Sequence, residues 1–311
     1  MKHFLVFAIA LALMFGFLLY RPVKPYRAQY AIFNTTGTVT FWYRQDTYAV
    51  CHEMADRLQQ LHNICNVYDK NSELALLNAN AAKAPVQCSP ELWEVFQKAI
   101  FAYEITDGAF DPSIGPLMHL WGFHEQRNTI PTEIEIADAL QKVGFSKIIF
   151  DRENHTVYFP IQGMSVDFGG FLKGYACDEV AKILQRYKVK SYQIDLGGNL
   201  LLSKEPPPEK KVFSVGIRNP ENPEEIIETI DDLDCAYATS GNYERGITIQ
   251  DRKIGHIMDP RTGMPAPTLG SVTVRTAGNA LEADIFSTAV FVAGEELRET
   301  IENGGTKVIF H

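Results

Sequence analysis

Two short segments share the pattern Asp–apolar–Gly–Gly, and they restrict the fold more than any other feature of the chain. They are VDFGGFLKG at 166–174 and DLGGN at 195–199. Paired glycines permit positive φ angles and a close approach of backbone to a ligand. Helix-forming residues follow Lys173, so the first segment predicts a strand-to-helix turn whose free N–H groups suit a phosphate. Its spacing fits neither the G-x-G-x-x-G nor the P-loop pattern, so the residues alone leave a plain tight turn equally open.

Size and charge exclude several classes of protein. The chain has 311 residues, 46% of them hydrophobic, which is enough for one large domain or two ordinary ones. The net charge is −9 and the body has no long run of Lys and Arg, which argues against a nucleic-acid partner. The cysteine count is odd and no C-x-x-C occurs, so the expectation is buried thiols rather than a zinc site or a disulfide framework. These cysteines are Cys51, Cys65, Cys88, Cys177 and Cys235.

The N-terminus predicts a membrane anchor. Residues 4–20 are uncharged and apolar, at the short end of a membrane span. No cleavage site or lipid-accepting cysteine follows, so we expect an uncleaved signal anchor with a linker over 1–27 and one domain over 28–311. The basic residues Arg21, Lys24 and Arg27 would by charge alone place the body in the cytoplasm.

Hydrophobic spacing and capping residues predict a mixed α/β domain, that is, α+β, without a regular βαβ repeat. The predicted linker covers 21–30 and the predicted strands are a pair over 31–44 bending at Gly37, a hairpin over 146–159 turning at Glu153–Asn154, and strands 191–203, 271–277 and 306–310. The predicted helices are 47–68, one from Ser89–Pro90 to Thr106, one capped by Thr132, 173–187 and 280–294; 204–211 is predicted as a surface excursion.

The helix segment ADIFSTAVF at 283–291 carries a candidate metal site. Asp284 and Thr288 are spaced i and i+4, so they share one face of an otherwise apolar helix. A carboxylate there is costly to bury unless it is paired or bound to a metal. A carboxylate with a hydroxyl is the hard-oxygen ligation that Mg²⁺ prefers. Spacing alone favours the alternative that Asp284 is an N-terminal helix cap.

Three loops rich in Gly, Asn, Asp and Pro, the residues of ligand-binding loops, cover 106–123, 240–246 and 256–266. In the third, His256 lies near Asp259 and Arg261, which makes it a candidate functional histidine, with a structural histidine as the alternative.

Seven segments together resemble the ApbE family of FAD:protein FMN transferases, over residues from about 31 to 310. Each segment is weak alone, but the seven occur in the family's order. They are YDKNSELALLN (68–78), TDGAFDPSIGPL (106–117), VDFGGFLKGYACD (166–178), IDLGGN (194–199), ATSGNYER (238–245), HIMDPRTG (256–263) and ADIFSTAVF (283–291).

The resemblance implies a Mg²⁺-dependent enzyme that uses FAD as its substrate. It would attach the FMN half to a Thr or Ser hydroxyl of a target flavoprotein by a phosphoester bond and release AMP. The implied acceptor is a flavoprotein subunit of a membrane redox complex or another electron-transfer protein. Family members typically work outside the cytoplasmic membrane, which overrides the charge-based orientation and predicts a periplasmic or extracytoplasmic catalytic domain.

The resemblance also assigns residues, position by position. Gly170 (through its carbonyl), Asp284 and Thr288 become Mg²⁺ ligands, and His256 the candidate general base, since an ordinary histidine titrates near neutral pH. The implied FAD contacts are Tyr68, Ala109, Phe110, Asp111, Asp167, Lys173 and Ile257. Two positions depart from the family pattern, Thr36 where Met is common and Asn66 where Ser is common, which puts the fine shape of the FAD pocket in question.

Two alternative functions remain open from the sequence. A FAD pyrophosphatase would use the same metal site with water as acceptor and yield FMN and AMP. A non-catalytic FAD-binding membrane protein is disfavoured by Asp284 and Thr288, because binding alone needs no reacting metal.

Overall fold

The computed structural model describes residues 23–222, 224–242, 246–266, 270–302 and 305–311. The predicted anchor at 4–20 lies outside these ranges. Within them, no helix is both long enough and apolar enough to cross a membrane.

The described residues form eight α-helices and fourteen β-strands, which confirms the mixed α/β prediction. The helices are α1 (Thr47–Cys65), α2 (Glu73–Asn80), α3 (Pro90–Ile105), α4 (Gly115–Leu120), α5 (Glu133–Leu140), α6 (Leu172–Arg186), α7 (Ala280–Ala293) and α8 (Glu295–Ile301), with a 3₁₀ turn at Phe145–Lys147. The strands are β1 (Pro25–Ile32), β2 (Thr35–Trp42), β3 (Val86–Gln87), β4 (Ile149–Asp151), β5 (Thr156–Tyr158), β6 (Ser191–Leu196), β7 (Asn199–Leu202), β8 (Phe213–Arg218), β9 (Ile226–Asp232), β10 (Cys235–Gly241), β11 (Gly246–Ile249), β12 (Arg252–Gly255), β13 (Ser271–Thr276) and β14 (Lys307–Phe310).

A seven-stranded sheet organises the domain. Its strand order is β1-β2-β6-β7-β10-β13-β14, and every neighbouring pair is antiparallel. α6 packs on β6 and β7, while α7 packs on β10 and β13 and against α6. These two adjacent helices carry the segments that the sequence analysis singled out.

Two hydrophobic clusters cover the two faces of this sheet. The larger one packs helices on the sheet and contains fully buried rings such as Phe96, Phe168 and Phe171. On the opposite face, the β8–β9 hairpin packs Phe213 against Trp42, with ring centroids 6.4 Å apart. The central strands are therefore buried on both faces, which holds the turns at their ends rigidly.

Local capping explains where the predicted helices begin. The Ser89 hydroxyl accepts a hydrogen bond from Leu92 N (3.1 Å), with Pro90 in the first turn. Thr132 and Glu135 form a reciprocal capping box. Both starts confirm the prediction, as does the β4–β5 hairpin that turns through residues 152–155.

The first hairpin differs from its prediction. β1 begins at Pro25, within the predicted linker, and the turn lies at Phe33–Asn34, whose φ angles are 50° and 57°. Gly37 instead lies inside β2, where a side chain would collide with Leu196. The edge strand β1 is mostly exposed, so it lacks the alternation of apolar and polar residues that predicts a strand.

The first Gly–Gly turn is also preceded by extended chain rather than by a strand. Val166 is held by the side chain of Asn78, which donates to its carbonyl and accepts from its N–H, both at 2.9 Å. Asp167 N donates to Pro112 O at 2.8 Å. Side-chain and loop contacts thus replace the strand ladder that the pattern predicted.

Candidate active site

A cavity of about 500 Å³ lies where α6 and α7 meet the loops after α1, α3 and β12. All eleven residues that the sequence analysis selected line this one cavity. They are Tyr68, Ala109, Phe110, Asp111, Asp167, Gly170, Lys173, His256, Ile257, Asp284 and Thr288. A volume of this order suits a ligand of nucleotide or dinucleotide size, since ligand pockets span roughly 300–1,000 Å³.

The three residues selected as metal ligands lie together on one wall. Thr288 Oγ1 is 3.4 Å from the carbonyl oxygen of Gly170. Ser240 Oγ lies 3.2 Å from Thr288 Oγ1 and 2.9 Å from Ser287 Oγ, which ties α7 to β10. Asp284 lies one helical turn before Thr288 and is only 5% exposed.

Asp284 is a buried carboxylate and not a helix cap. The N-cap of α7 is Asn279, whose side chain accepts from Glu282 N at 3.0 Å. Asp284 Oδ2 accepts the backbone N–H of Gly174 at 2.9 Å. Burial raises the pKa of Asp284, while the nearby Lys173 cation and these hydrogen-bond donors act in the opposite direction.

This donor set fits Mg²⁺. It offers a carboxylate, a hydroxyl and a backbone carbonyl, all hard oxygens. Among the described residues no group of three His, Cys, Asp or Glu side chains is placed to hold a metal. A site with one carboxylate leaves positions for waters and substrate phosphates, which is how Mg²⁺ is commonly bound.

Lys173 connects the two Gly–Gly turns. Its Nζ lies 3.2 Å from Asn199 Oδ1 and 3.4 Å from Gly197 O. Gly197 and Gly198 have φ angles of 60° and 90°, so the second turn, between β6 and β7, needs glycine for its backbone conformation.

The first turn needs glycine for a different reason. A Cβ on Gly170 would lie 2.8 Å from Phe110 Cε2, so the absence of a side chain lets the backbone carbonyl approach the cavity wall. Asp111 supports the same region, because its carboxylate accepts from Ser113 N (2.7 Å), Ser113 Oγ (2.6 Å) and Phe145 N (3.2 Å). The Asp111 side chain therefore fixes the loop that carries Ala109 and Phe110.

Asp167 and Tyr68 are joined by a residue that sequence reasoning missed. His124 Nε2 lies 3.4 Å from Asp167 Oδ2, and the rings of His124 and Tyr68 meet edge-on with centroids 5.3 Å apart. Asp167 Oδ1 also accepts Gly169 N at 2.7 Å. The available signal was the position of His124 directly after Trp-Gly-Phe, one residue beyond the predicted loop 106–123.

Of the two positions that depart from the family pattern, one lies outside the cavity and the other lines it. Thr36 is exposed on β2 and does not line the cavity; Phe33 and Asn34 of the preceding turn do. Asn66 ends α1, lines the cavity, and its Oδ1 accepts the backbone N–H of Tyr68 at 3.1 Å.

His256 and Ile257 follow β12 and also line the cavity, with His256 half-buried. Asp259 and Arg261, whose proximity had raised interest in His256, are paired with each other through two 2.9 Å contacts. Arg261 also donates to Val292 O at 3.2 Å. This ion pair anchors the loop to α7, so its role in the site is structural.

Comparison with solved structures places this antiparallel α/β fold in the flavin-transferase class. The fold matches the flavin transferase ApbE from Vibrio cholerae with a TM-score of 0.78 and 26% identity, covering 93% of this chain and 97% of that one. It matches the ApbE protein from Thermotoga maritima with a TM-score of 0.85 and 27% identity, covering 92% and 94%.

Sequence comparison agrees. The FAD:protein FMN transferase of Treponema pallidum is 31% identical over 268 residues, which are 81% of this chain and 73% of that protein. The ApbE family profile matches residues 33–310. The chain belongs to the ApbE family.

Proposed function

We propose that this chain is a FAD:protein FMN transferase, which attaches FMN from FAD to a Thr or Ser hydroxyl of a flavoprotein in a Mg²⁺-dependent reaction. The observation that carries the proposal is the convergence of eleven selected residues, from widely separated segments, on one cavity. The names of the relatives support the same activity.

The reaction forms one P–O bond and breaks another. The acceptor hydroxyl oxygen bonds to the phosphorus of the FMN half, and the bond from that phosphorus to the bridging oxygen breaks. AMP leaves with the bridging oxygen, and the hydroxyl proton goes to a base. His256 is the candidate base, because it lines the cavity and histidine is the residue type most often used as a general base near neutral pH.

The remaining residues bind and orient the dinucleotide. Lys173 provides a cation next to the buried carboxylate of Asp284, where the pyrophosphate would lie. Asp284, Thr288 and the Gly170 carbonyl would hold Mg²⁺, which supplies charge neutralisation at the pyrophosphate and at departing AMP. Tyr68, 54% exposed, offers an aromatic face to one ring system of FAD.

An acceptor assay tests the proposal. The protein is incubated with FAD, Mg²⁺ and flavoprotein subunits encoded in the same genome, and the mixture is separated under denaturing conditions. Fluorescent flavin that stays on the acceptor indicates transfer. Free FMN without labelled acceptor would establish a pyrophosphatase instead, and unchanged FAD would establish a carrier.

We also propose that residues 4–20 anchor the protein in the cytoplasmic membrane with the domain on its outer face, where an electron-transfer complex would present the acceptor. β1 begins at Pro25, so removal of residues 1–22 should leave a soluble, active enzyme. Protease added to spheroplasts should digest the domain; full protection would place it in the cytoplasm.

A further inference from the structure

We propose that His124 is a positioning residue that fixes Tyr68 and Asp167 on one side of the cavity and thereby sets the affinity for FAD. This inference rests on the proposed function only in taking FAD as the ligand. Neither the sequence pattern nor the family resemblance selected His124.

The contacts of His124 reach two cavity residues at once. Its Nε2 lies 3.4 Å from Asp167 Oδ2, and its ring meets the Tyr68 ring at an interplanar angle of 85°. A carboxylate can only accept, so Nε2 must carry the proton in this contact. The side chains of His124 and Asp167 are 22% and 13% exposed, so the contact is sheltered from solvent at the cavity edge.

The loop that carries His124 is braced on both sides. Gly122 has a φ of 88°, and a Cβ there would lie 2.8 Å from Arg127 Cβ. Arg127 donates to both oxygens of Glu135 on α5, at 2.8 and 2.9 Å, and to Thr129 O at 2.8 Å. The backbone around His124 is therefore fixed, so the His124 side chain can restrain the side chains that it contacts.

Without this contact the two partners have fewer restraints. Tyr68 is 54% exposed and lies in the loop after α1. Asp167 then keeps the hydrogen bond that its carboxylate accepts from the Gly169 N–H. A side chain that is already in its bound orientation costs less entropy when the ligand arrives. The expected effect of His124 is therefore on binding, shared by ground state and transition state, and not on the chemical step.

Three substitutions separate the two contacts. His124→Phe keeps a ring beside Tyr68 but removes the donor to Asp167. His124→Gln keeps a donor but removes the ring, and His124→Ala removes both. The matched control is His119→Ala, an exposed histidine on α4 that does not line the cavity.

The test measures the Kd of FAD with Mg²⁺ by flavin fluorescence polarisation, together with kcat and KM for transfer. We expect His124→Ala to raise Kd and KM on the order of 10-fold with kcat within about twofold, and the Phe and Gln variants each to recover part of the loss. His119→Ala should match wild type. In a double-mutant cycle, the His124→Ala effect should shrink in an Asp167→Asn background, because the partner is already altered.

Three results would overturn the proposal: a Kd within twofold of wild type for His124→Ala, strict additivity with Asp167→Asn, or a fall in kcat without a change in KM. The Kd of FAD tests the role of His124, whereas covalent flavin on the acceptor tests the proposed function. A wild-type protein that binds FAD but labels no acceptor would remove the transferase proposal and leave the positioning role standing. A wild-type protein that does not bind FAD would overturn both.

Discussion

The backbone N–H of Gly174, at the start of α6, donates a 2.9 Å hydrogen bond to Oδ2 of Asp284 on α7. This contact requires the two helices to lie unusually close together. A Cβ on Gly174 would collide with the carbonyl oxygen of Ala280 and come within 2.7 Å of Asp284 Cβ. The position of the buried carboxylate therefore depends on a missing side chain in the neighbouring helix.

Gly174→Ala should push α6 and α7 apart, lowering the free energy of unfolding by about 1–3 kcal/mol, the range for overpacked cores, and displacing Asp284. The rate of transfer should fall by a much larger fraction than the free energy of unfolding. Urea denaturation and the acceptor assay measure the two effects. Gly169→Ala is the matched control for folding, because its Cβ would meet only the flexible Asp167 Oδ1, at 3.1 Å. A fully active Gly174→Ala enzyme would contradict this account.

Substitution of the proposed Mg²⁺ ligands should uncouple Mg²⁺ from the protein. Asp284→Asn keeps an acceptor for Gly174 N–H but loses the charge, so transfer should nearly vanish. The variant should lose the rise in melting temperature that Mg²⁺ gives the wild type. Thr288→Val should be milder and Thr288→Ser nearly normal, since a hydroxyl is retained. EDTA should abolish wild-type transfer and Mg²⁺ should restore it; transfer that survives chelation would refute the metal site.

His256→Ala should lower kcat by about 10²–10⁴, the usual loss for a general base, while the Kd of FAD stays near its wild-type value. Fluorescence polarisation gives the Kd and single-turnover transfer gives the rate. The exposed His119→Ala variant serves as control here too. If His256→Ala turned over at the wild-type rate, another group would have to accept the proton.

FAD should bind much more tightly than FMN. The Lys173 and Asp284 region lies inside a cavity of about 500 Å³, which leaves room for groups on both sides of a pyrophosphate. FMN lacks the adenosine half and the second phosphate, so its Kd should be at least about 10-fold higher. Calorimetry with Mg²⁺ present compares the two ligands, and equal affinities would contradict the proposed binding mode.

Asp178 should make stability depend on pH. Its carboxylate accepts Ala280 N and Leu281 N, both at 3.0 Å, at the start of α7. Burial raises the pKa of Asp178 to about 6, above its value in the unfolded chain. Ionisation of buried Asp178 therefore lowers the free energy of unfolding. This loss is absent below about pH 4, grows as the pH rises towards 6, and is constant above.

The free energy of unfolding of wild type relative to Asp178→Asn should therefore fall by up to about 3 kcal/mol between pH 4 and pH 7. Urea denaturation at several pH values measures this difference. Asp138→Asn, at an exposed position on α5, should show no such trend. A difference between wild type and Asp178→Asn that does not change with pH would show that the pKa of Asp178 is not raised.

The sequence predicted the structure best where a residue acts on the backbone within one helical turn of itself. Pro90 after Ser89, and Glu135 three residues after Thr132, located helix starts because capping acts over a single turn. The i, i+4 spacing placed Asp284 and Thr288 on one face of α7 for the same reason. Family resemblance then placed the other cavity residues, which lie in loops with no periodicity except for Lys173 at the start of α6.

What the sequence did not predict depends on contacts between distant segments. β1 is recognisable as a strand only by its pairing with β2. β8 does alternate apolar and polar residues, a signal that the sequence analysis missed, but its position on the far face of the sheet depends on packing. His124 is 43 residues from Asp167 in the chain. No local pattern signals such a contact, because it depends on how the loop after α4 folds over the end of α1.

The proposed metal-binding residues lie far apart along the chain, and this determines at what stage of folding the site can form. Thr288 and Gly170 are 118 residues apart, and Asp284 and Gly174 are 110 apart. Neither the segment around Gly170 nor α7 can assemble the oxygen cluster alone. The proposed metal site therefore forms only when α7 docks beside α6.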